Sequence, residues 1–408
     1  MSLKKFPTKP EDDVVMGSAV LNALDVRGLP WDDILIRETI QNSLDAALGT
    51  EPVHVTIDIK SVPNLADKVT RLLQGGDLRH CQGMKRLLVI RDTGTRGLDG
   101  PQQWKGKSPG GNFLRLIRSQ FSPQTNTEAG GGWGMGKAAL FHFGIGLVLF
   151  YSRIRIGHAR FESRLCGVLV EEPHDVIGDS PTGICRWGAS GSRSFQAETD
   201  ETKIREYLSE LGCQDFLFSD GTTGTAVIIP CLSKFENAPP KEVLQRLRLC
   251  VYRWYGLRLD NRNWVVPPAQ VGSQPSEELL PALKVTIGCE PVTIGAAPEF
   301  FKLLRQLHPS LPIINSRVKE ARIGNLNRVN GDVGILRWRV LEQDDLYGQA
   351  PEILIGEDWA QKNGNVWCVL TRKPGMVIAY TNDKDAPRNR WVPNNLELKE
   401  NQIIVALF

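Results

Sequence analysis

From Ile36 to Leu48 the apolar residues Ile36, Ile40, Leu44 and Leu48 recur every fourth position, while Glu38, Asn42 and Asp45 recur at i, i+4 and i+7 on another side. This spacing predicts a helix with one face that packs and one that offers a carboxylate and a carboxamide for chemistry. Asp32 or Asp33, just after Trp31, is the candidate N-cap, and Gly49 the candidate C′ residue. Residues 52–59 then alternate apolar and polar as a half-buried strand does, with His54 on the polar side. Residues 86–91 form a second predicted strand that runs directly into Asp92-Thr-Gly-Thr-Arg-Gly97. A carboxylate at a strand end followed by two glycines either makes a turn or presents an acceptor to a ligand that the backbone can approach closely.

Residues 98–129 are rich in Gly, Pro, Gln, Ser and Thr around one amphipathic piece, residues 112–121, with Phe113, Leu116, Ile117 and Phe121 on a helical stripe. Long irregular segments of this kind are usually lids or binding loops. This one leads into Gly130-Gly-Gly-Trp-Gly-Met-Gly-Lys137, the densest glycine cluster in the chain. Exposed amides there, at the mouth of a helix starting near Lys137, would cradle phosphate. Gly131-x-x-x-x-Gly136-Lys137 matches most of a P-loop, but Ala138 follows, without a hydroxyl for magnesium, and no apolar strand precedes it. Gly134-x-Gly136-x-x-Ala139 is a minimal dinucleotide fingerprint that lacks the same strand. The third reading is a glycine-rich lid closing over a nucleotide held mainly elsewhere.

Further on, residues 143–151 are strongly apolar and residues 153–164 continue as alternating strands, whose arginines read as a solvated sheet face. Residues 172–196 are loop-like, residues 202–211 helical, and Asp220-Gly-Thr-Thr-Gly-Thr225 is a tight turn feeding a buried strand that ends at Pro230. Pro239-Pro240 marks a boundary before a helix over 241–257. On that helix Arg246, Arg248, Arg253 and Arg258 interleave with Tyr252, Trp254 and Tyr255, a pattern better explained by packing and helix solvation than by a nucleic-acid surface. Strands at 283–287, 333–341, 366–371, 376–380 and 402–407, with a helix at 298–307, make the second half α+β.

Composition narrows the class. The 408 residues are 41% hydrophobic and 23% charged, which suits two globular domains. A net charge of +3 demands no nucleic-acid partner. No run is long enough to cross a bilayer and the N-terminus lacks a signal-peptide core, so no membrane association is expected and a cytoplasmic location is. Eight scattered cysteines without a C-x-x-C pair argue against a zinc site or a disulfide framework.

Taken in order, Glu38-x-x-x-Asn42-x-x-Asp45, Asp92-x-Gly94, Gly132-x-Gly134-x-Gly136 and Thr223-Gly224-Thr225 resemble the four nucleotide-binding motifs of the GHKL ATPase superfamily, over about residues 31–230. The resemblance implies an α/β (α+β) two-layer sandwich of the Bergerat type, with a mixed sheet and ATP between sheet and helices. It implies an N-terminal arm at 1–30, an ATP-binding domain at 31–232 with its lid at about 98–137, and a transducer-like α+β domain at 239–408. Glu38 would activate the attacking water and Asn42 would ligate Mg2+. Asp45 would face the nucleotide through solvent or backbone, Asp92 would accept the adenine amino group, Gly94 would let the base approach, and Thr225 would support that contact. Gly132, Gly134 and Gly136 would hold the phosphates, and Lys137 would add charge. The last glycine of the second motif, Gly97, comes one residue later than the usual spacing, which leaves its role open. Lys319 and Lys373 are candidates for a transducer lysine. The finer likeness is to bacterial MORC- and MutL-like ATPases of restriction and phage-defence clusters. It implies an ATP-dependent homodimer with a nuclease or helicase partner or DNA, the alternatives being a nucleotide-gated scaffold or a chaperone-like clamp.

Overall fold

The computed structural model describes residues 2–9, 17–18, 30–103, 110–118, 138–233, 235–259, 264–266, 278–308, 313, 317–324, 332–341, 366–372, 376–381 and 403–407. The glycine cluster with Gly132, Gly134, Gly136 and Lys137, and likewise Phe121 and Lys373, lie outside these residues. The chain divides into two compact units, residues 1–247 with 285–290, and residues 248–284 with 291–408.

The first unit opens with β1 (Lys4–Pro7) and α1 (Trp31–Asp45), then β2 (Val53–Ser61), α2 (Leu65–Leu72) and β3 (Arg86–Thr93). There follow α3 (Ala138–His142), β4 (Leu147–Arg155), β5 (Phe161–Val170), β6 (Ile184–Gly188), α4 (Glu201–Glu210), β7 (Gly224–Pro230) and the start of α5 (Pro240–Tyr255). Two short strands, β8 (Trp264–Val266) and β9 (Glu278–Leu280), pair with each other; β10 (Leu283–Ile287) and β11 (Glu290–Val292) instead return to the first sheet. Its order is β1-β6-β5-β4-β7-β3-β2-β10-β11, and every pairing from β1 through β2 is antiparallel.

Strand parity separates the two faces of this sheet. Leu87 and Val89 of β3 and Ala226 and Ile228 of β7 join the side chains of α2 and α4 in one core, with Leu65, Val69, Ile204 and Leu208 at its centre. Ile90 and Asp92, and Thr225 and Val227, point the other way, toward α1 and α3. Sheet and helices on that face make the α/β sandwich, with α2 and α4 backing the other face. Glu299–Gln306 (α6) lies in the second unit, together with the five-stranded order β12 (Val318–Gly324), β13 (Asp332–Val340), β16 (Ile403–Leu407), β14 (Val366–Arg372), β15 (Met376–Thr381), in which β14 and β16 run parallel.

Several expectations change. Neither Asp32 nor Asp33 caps α1: the cap position is Pro30, and both acids sit buried in the first turn, Asp32 paired with Arg246 at 2.5 Å. There they complement the positive helix end. The helix ends at Asp45, not near Gly49, because residues 46–48 leave it to pair with the loop after β3: Arg96 N–H donates to Ala46 O at 2.8 Å and Leu48 N–H to Gly94 O at 3.0 Å. Leu48 therefore drops out of the apolar stripe and is 40% exposed. The loop-like 172–196 contains β6, and Lys4–Pro7 of the N-terminal arm is its edge partner. Arg153 and Arg164 are buried, not solvated, whereas Arg155 is exposed. On α5, Tyr252, Arg253, Trp254 and Tyr255 are buried, as the packing reading required.

Candidate functional site

Asp92 is the penultimate residue of β3, and three groups of the protein donate to it. Its Oδ1 accepts from Thr95 Oγ1 at 2.5 Å and from the Thr225 backbone N–H at 3.0 Å. Its Oδ2 accepts from Ser43 Oγ on α1 at 3.1 Å, but that single hydroxyl proton is equally close, at 3.1 Å, to Thr39 O one helical turn back. One oxygen is thus satisfied and the other holds a shared donor. Desolvation raises the pKa of this carboxyl above its ordinary range, opposed by the three donors and by the charge of Arg91.

The loop after β3 is fixed by parts distant in sequence. Thr223 Oγ1 donates to Thr95 O at 2.5 Å, joining the start of β7 to the motif. Ser152 on β4 accepts from Leu98 N–H and donates to Gly224 O, both at 2.8 Å. Arg164 on β5 donates through Nη1 to Leu98 O at 3.0 Å and Gly100 O at 2.7 Å. Asn112 closes the far side, its Nδ2 donating to Gly97 O at 3.1 Å and its N–H to Asp99 Oδ1 at 3.0 Å. Two glycines are required by this packing. At Gly94 (φ +78°) an added Cβ would stand 2.2 Å from Pro52 O. At Gly97 (φ +66°) it would stand 2.6 Å from Ser152 Oγ and 2.7 Å from Gly224 O.

Between the sheet face and α1 lies a cavity of about 420 Å³, within the roughly 300–1,000 Å³ of small-molecule sites. Asn42 and Asp45 of α1, Asp92 and Thr225 all line it. Its apolar surface comes from Ile90, Leu116, Leu140 and Val227. The structure therefore brings together four of the residues singled out by sequence, with Gly94 at the neighbouring turn. Glu38, one turn before Asn42, is half-buried and outside the lining residues. Asp45 Oδ1 accepts from Gln41 Nε2 at 2.6 Å, which orients it along the helix. Lys319 on β12 is exposed.

The donor set bears on what cation could be held. Among the described residues no cluster of three or more His, Cys, Asp or Glu is arranged around a metal position. Asn42 supplies one hard carboxamide oxygen at the cavity wall, which fits magnesium, an ion that keeps most of its waters and is bound through one or two protein oxygens plus phosphates.

Sequence reasoning missed Ser43, Thr95, Ser152, Arg164 and Asn112. Ser43 and Thr95 carried a readable signal, since both lie within the motif stretches and are small hydroxyls next to a carboxylate. Ser152 and Arg164 carried none, because only antiparallel pairing of β4, β5 and β7 brings them to the loop.

No protein-family model matches the chain, nor does any curated protein. Among solved structures, the ATPase region of Saccharomyces cerevisiae topoisomerase II is similar, with a TM-score of 0.41 and 10% identity over 100% of this chain and 80% of that one. The same region bound to ICRF-187 (dexrazoxane) has a TM-score of 0.41 and 8% identity over 92% of this chain and 72% of that one. Likeness at this level assigns neither family nor activity.

Proposed function

We propose that the cavity binds ATP with Mg2+ and that the chain hydrolyses it, as the resemblance to GHKL ATPases implies. The observation that carries this reading is Asp92, a carboxylate at the cavity wall beside Ile90 and Val227, with one oxygen satisfied and the other left a shared donor. That arrangement suits a flat ligand with an exocyclic N–H donor, and adenine is such a ligand. Asn42 would hold the metal, which supplies charge neutralisation at the phosphates when bound. Glu38 would take the proton of the attacking water from its place one turn along α1. Gly132, Gly134, Gly136 and Lys137 would complete the phosphate side.

Equilibrium nucleotide binding and phosphate release separate the roles. Glu38→Ala is expected to bind ATP while losing turnover by two or more orders of magnitude, and Asp92→Ala to lose binding. Unchanged hydrolysis in Glu38→Ala would sink the mechanism. The position of Glu38 outside the cavity lining favours a second reading, a nucleotide-gated scaffold with negligible hydrolysis. It predicts binding without phosphate release in the wild-type chain. A transducer role for residues 239–408, lid closure driving homodimerisation, and a nuclease, helicase or DNA partner in phage defence are supported by motif resemblance alone.

A further inference from the structure

Further along the loop that follows β3, Asp99 puts another carboxylate at the cavity wall. Its place is set by residues distant in sequence. Arg164 on β5 holds the carbonyls on either side of it, Leu98 O at 3.0 Å and Gly100 O at 2.7 Å. Asp99 O accepts from Phe113 N–H at 3.0 Å, and Asp99 Oδ1 from Asn112 N–H at 3.0 Å. Phe113 is itself buried, with the Arg164 guanidinium 5.4 Å from its ring centroid. The carboxylate is therefore half-buried and fixed in position, with Oδ1 bonded to the protein and Oδ2 accepting from none of the described residues. An ionised carboxylate accepts at both oxygens, so capacity for a ligand donor is left at the wall.

Charge decides which part of a nucleotide such an oxygen would meet. A fixed carboxylate repels the phosphate chain, and the amino group of the base is already matched to Asp92. What remains is the sugar, which is uncharged and carries hydroxyl donors. A carboxylate accepting from a ribose hydroxyl is a recurrent way of holding a nucleotide, and a site built around such a bond disfavours the analogue that lacks the hydroxyl. We propose that Asp99 accepts a hydrogen bond from a ribose hydroxyl of the bound nucleotide and so selects ribonucleotides over their deoxy forms. This rests on the nucleotide reading above.

The test is calorimetric titration of the full chain with ADP, 2′-deoxy-ADP and 3′-deoxy-ADP in magnesium buffer. Wild type is compared with Asp99→Ala and Asp99→Asn, each checked by thermal melting. Wild type is expected to bind at least one deoxy form roughly ten- to hundredfold more weakly than ADP. Asp99→Ala should bind ADP about as weakly as wild type binds that deoxy form, and no longer tell the two apart. Asp99→Asn, which keeps an oxygen for the Asn112 N–H but carries no charge, should retain part of the preference. Two outcomes overturn the assignment while leaving the nucleotide reading intact. One is a wild type that does not discriminate; the other is a preference that survives in full in Asp99→Ala, including an equal loss for all three ligands such as removal of a magnesium ligand would give. A wild-type chain that binds none of the three overturns the nucleotide reading, and the role of Asp99 with it.

Discussion

Asp92 is costly to keep charged, and the direction of that cost is testable. Its pKa lies above the carboxylate value of an unfolded chain, so the native state holds the proton more tightly than the unfolded state. The penalty is therefore fully present above the raised pKa and is relieved as pH falls through it toward the unfolded value near about 4. Asp92→Asn removes the charge without disordering the site. The amide oxygen in the Oδ1 position still accepts from Thr225 N–H and Thr95 Oγ1, and the amide nitrogen in the Oδ2 position donates to Ser43 Oγ. At neutral pH this variant should melt no lower than wild type, and any advantage should shrink on acidification. Adenine nucleotide binding should fall, because an N–H now faces the ligand's amino group. In the wild type, binding should be lost on acidification at a pH above the usual carboxylate range. A variant that binds ATP normally would remove Asp92 from base recognition. This residue was legible in the sequence because a carboxylate closing an apolar strand before two glycines is a local pattern. The sharing of the Ser43 proton was not, since it depends on the distance between α1 and β3.

The elements matter here through the joints between them. The strands were readable wherever an apolar run was long, as at β3, β4 and β7, and so was the helix α4, whose cap is a finding of the structure, with Asp200 accepting from Thr202 N–H at 2.9 Å. What sequence could not give was the pairing that ends α1 at Asp45 and the antiparallel order that carries Ser152 to Leu98. Gly97, whose offset left its role open, now has a packing reason. Gly97→Ala combines a left-handed backbone, about 1–2 kcal/mol, with a Cβ held 2.6 Å from Ser152 Oγ and 2.7 Å from Gly224 O. Ser152→Ala leaves the buried Leu98 N–H without its acceptor, a loss of about 1–3 kcal/mol. Because the absent hydroxyl is also the nearest of the three close contacts at Gly97, the third being Arg153 O at 2.9 Å, the double variant should be less destabilised than the sum of the singles. Denaturant unfolding of the four proteins checks this. Strict additivity would mean that the backbone oxygens of Gly224 and Arg153 set the cost at Gly97.

At the scale of the molecule, thiols report how the first unit opens. Of the seven cysteines whose surroundings are described, six are buried and Cys289, beside Gly288 in the turn between β10 and β11, is exposed. Burial pushes the thiols of Cys166, Cys185 and Cys213 up to about 12, so at neutral pH they are both inaccessible and protonated. Native labelling mapped by peptide mass spectrometry should therefore mark Cys289 rapidly, and these three only at the rate at which the first unit opens. All three belong to residues 1–247, the unit that contains the cavity. A ligand bound there at 100 times its dissociation constant stabilises the closed state by about 2.7 kcal/mol, so labelling that requires full opening of the unit should slow about a hundredfold. Cys289, already exposed, should react at an unchanged rate. Equal slowing at Cys289 would show that nucleotide shields the surface by another route, such as assembly. No slowing at the three buried thiols, under conditions where binding is measured independently, would mean that they are reached by local openings that leave the cavity intact.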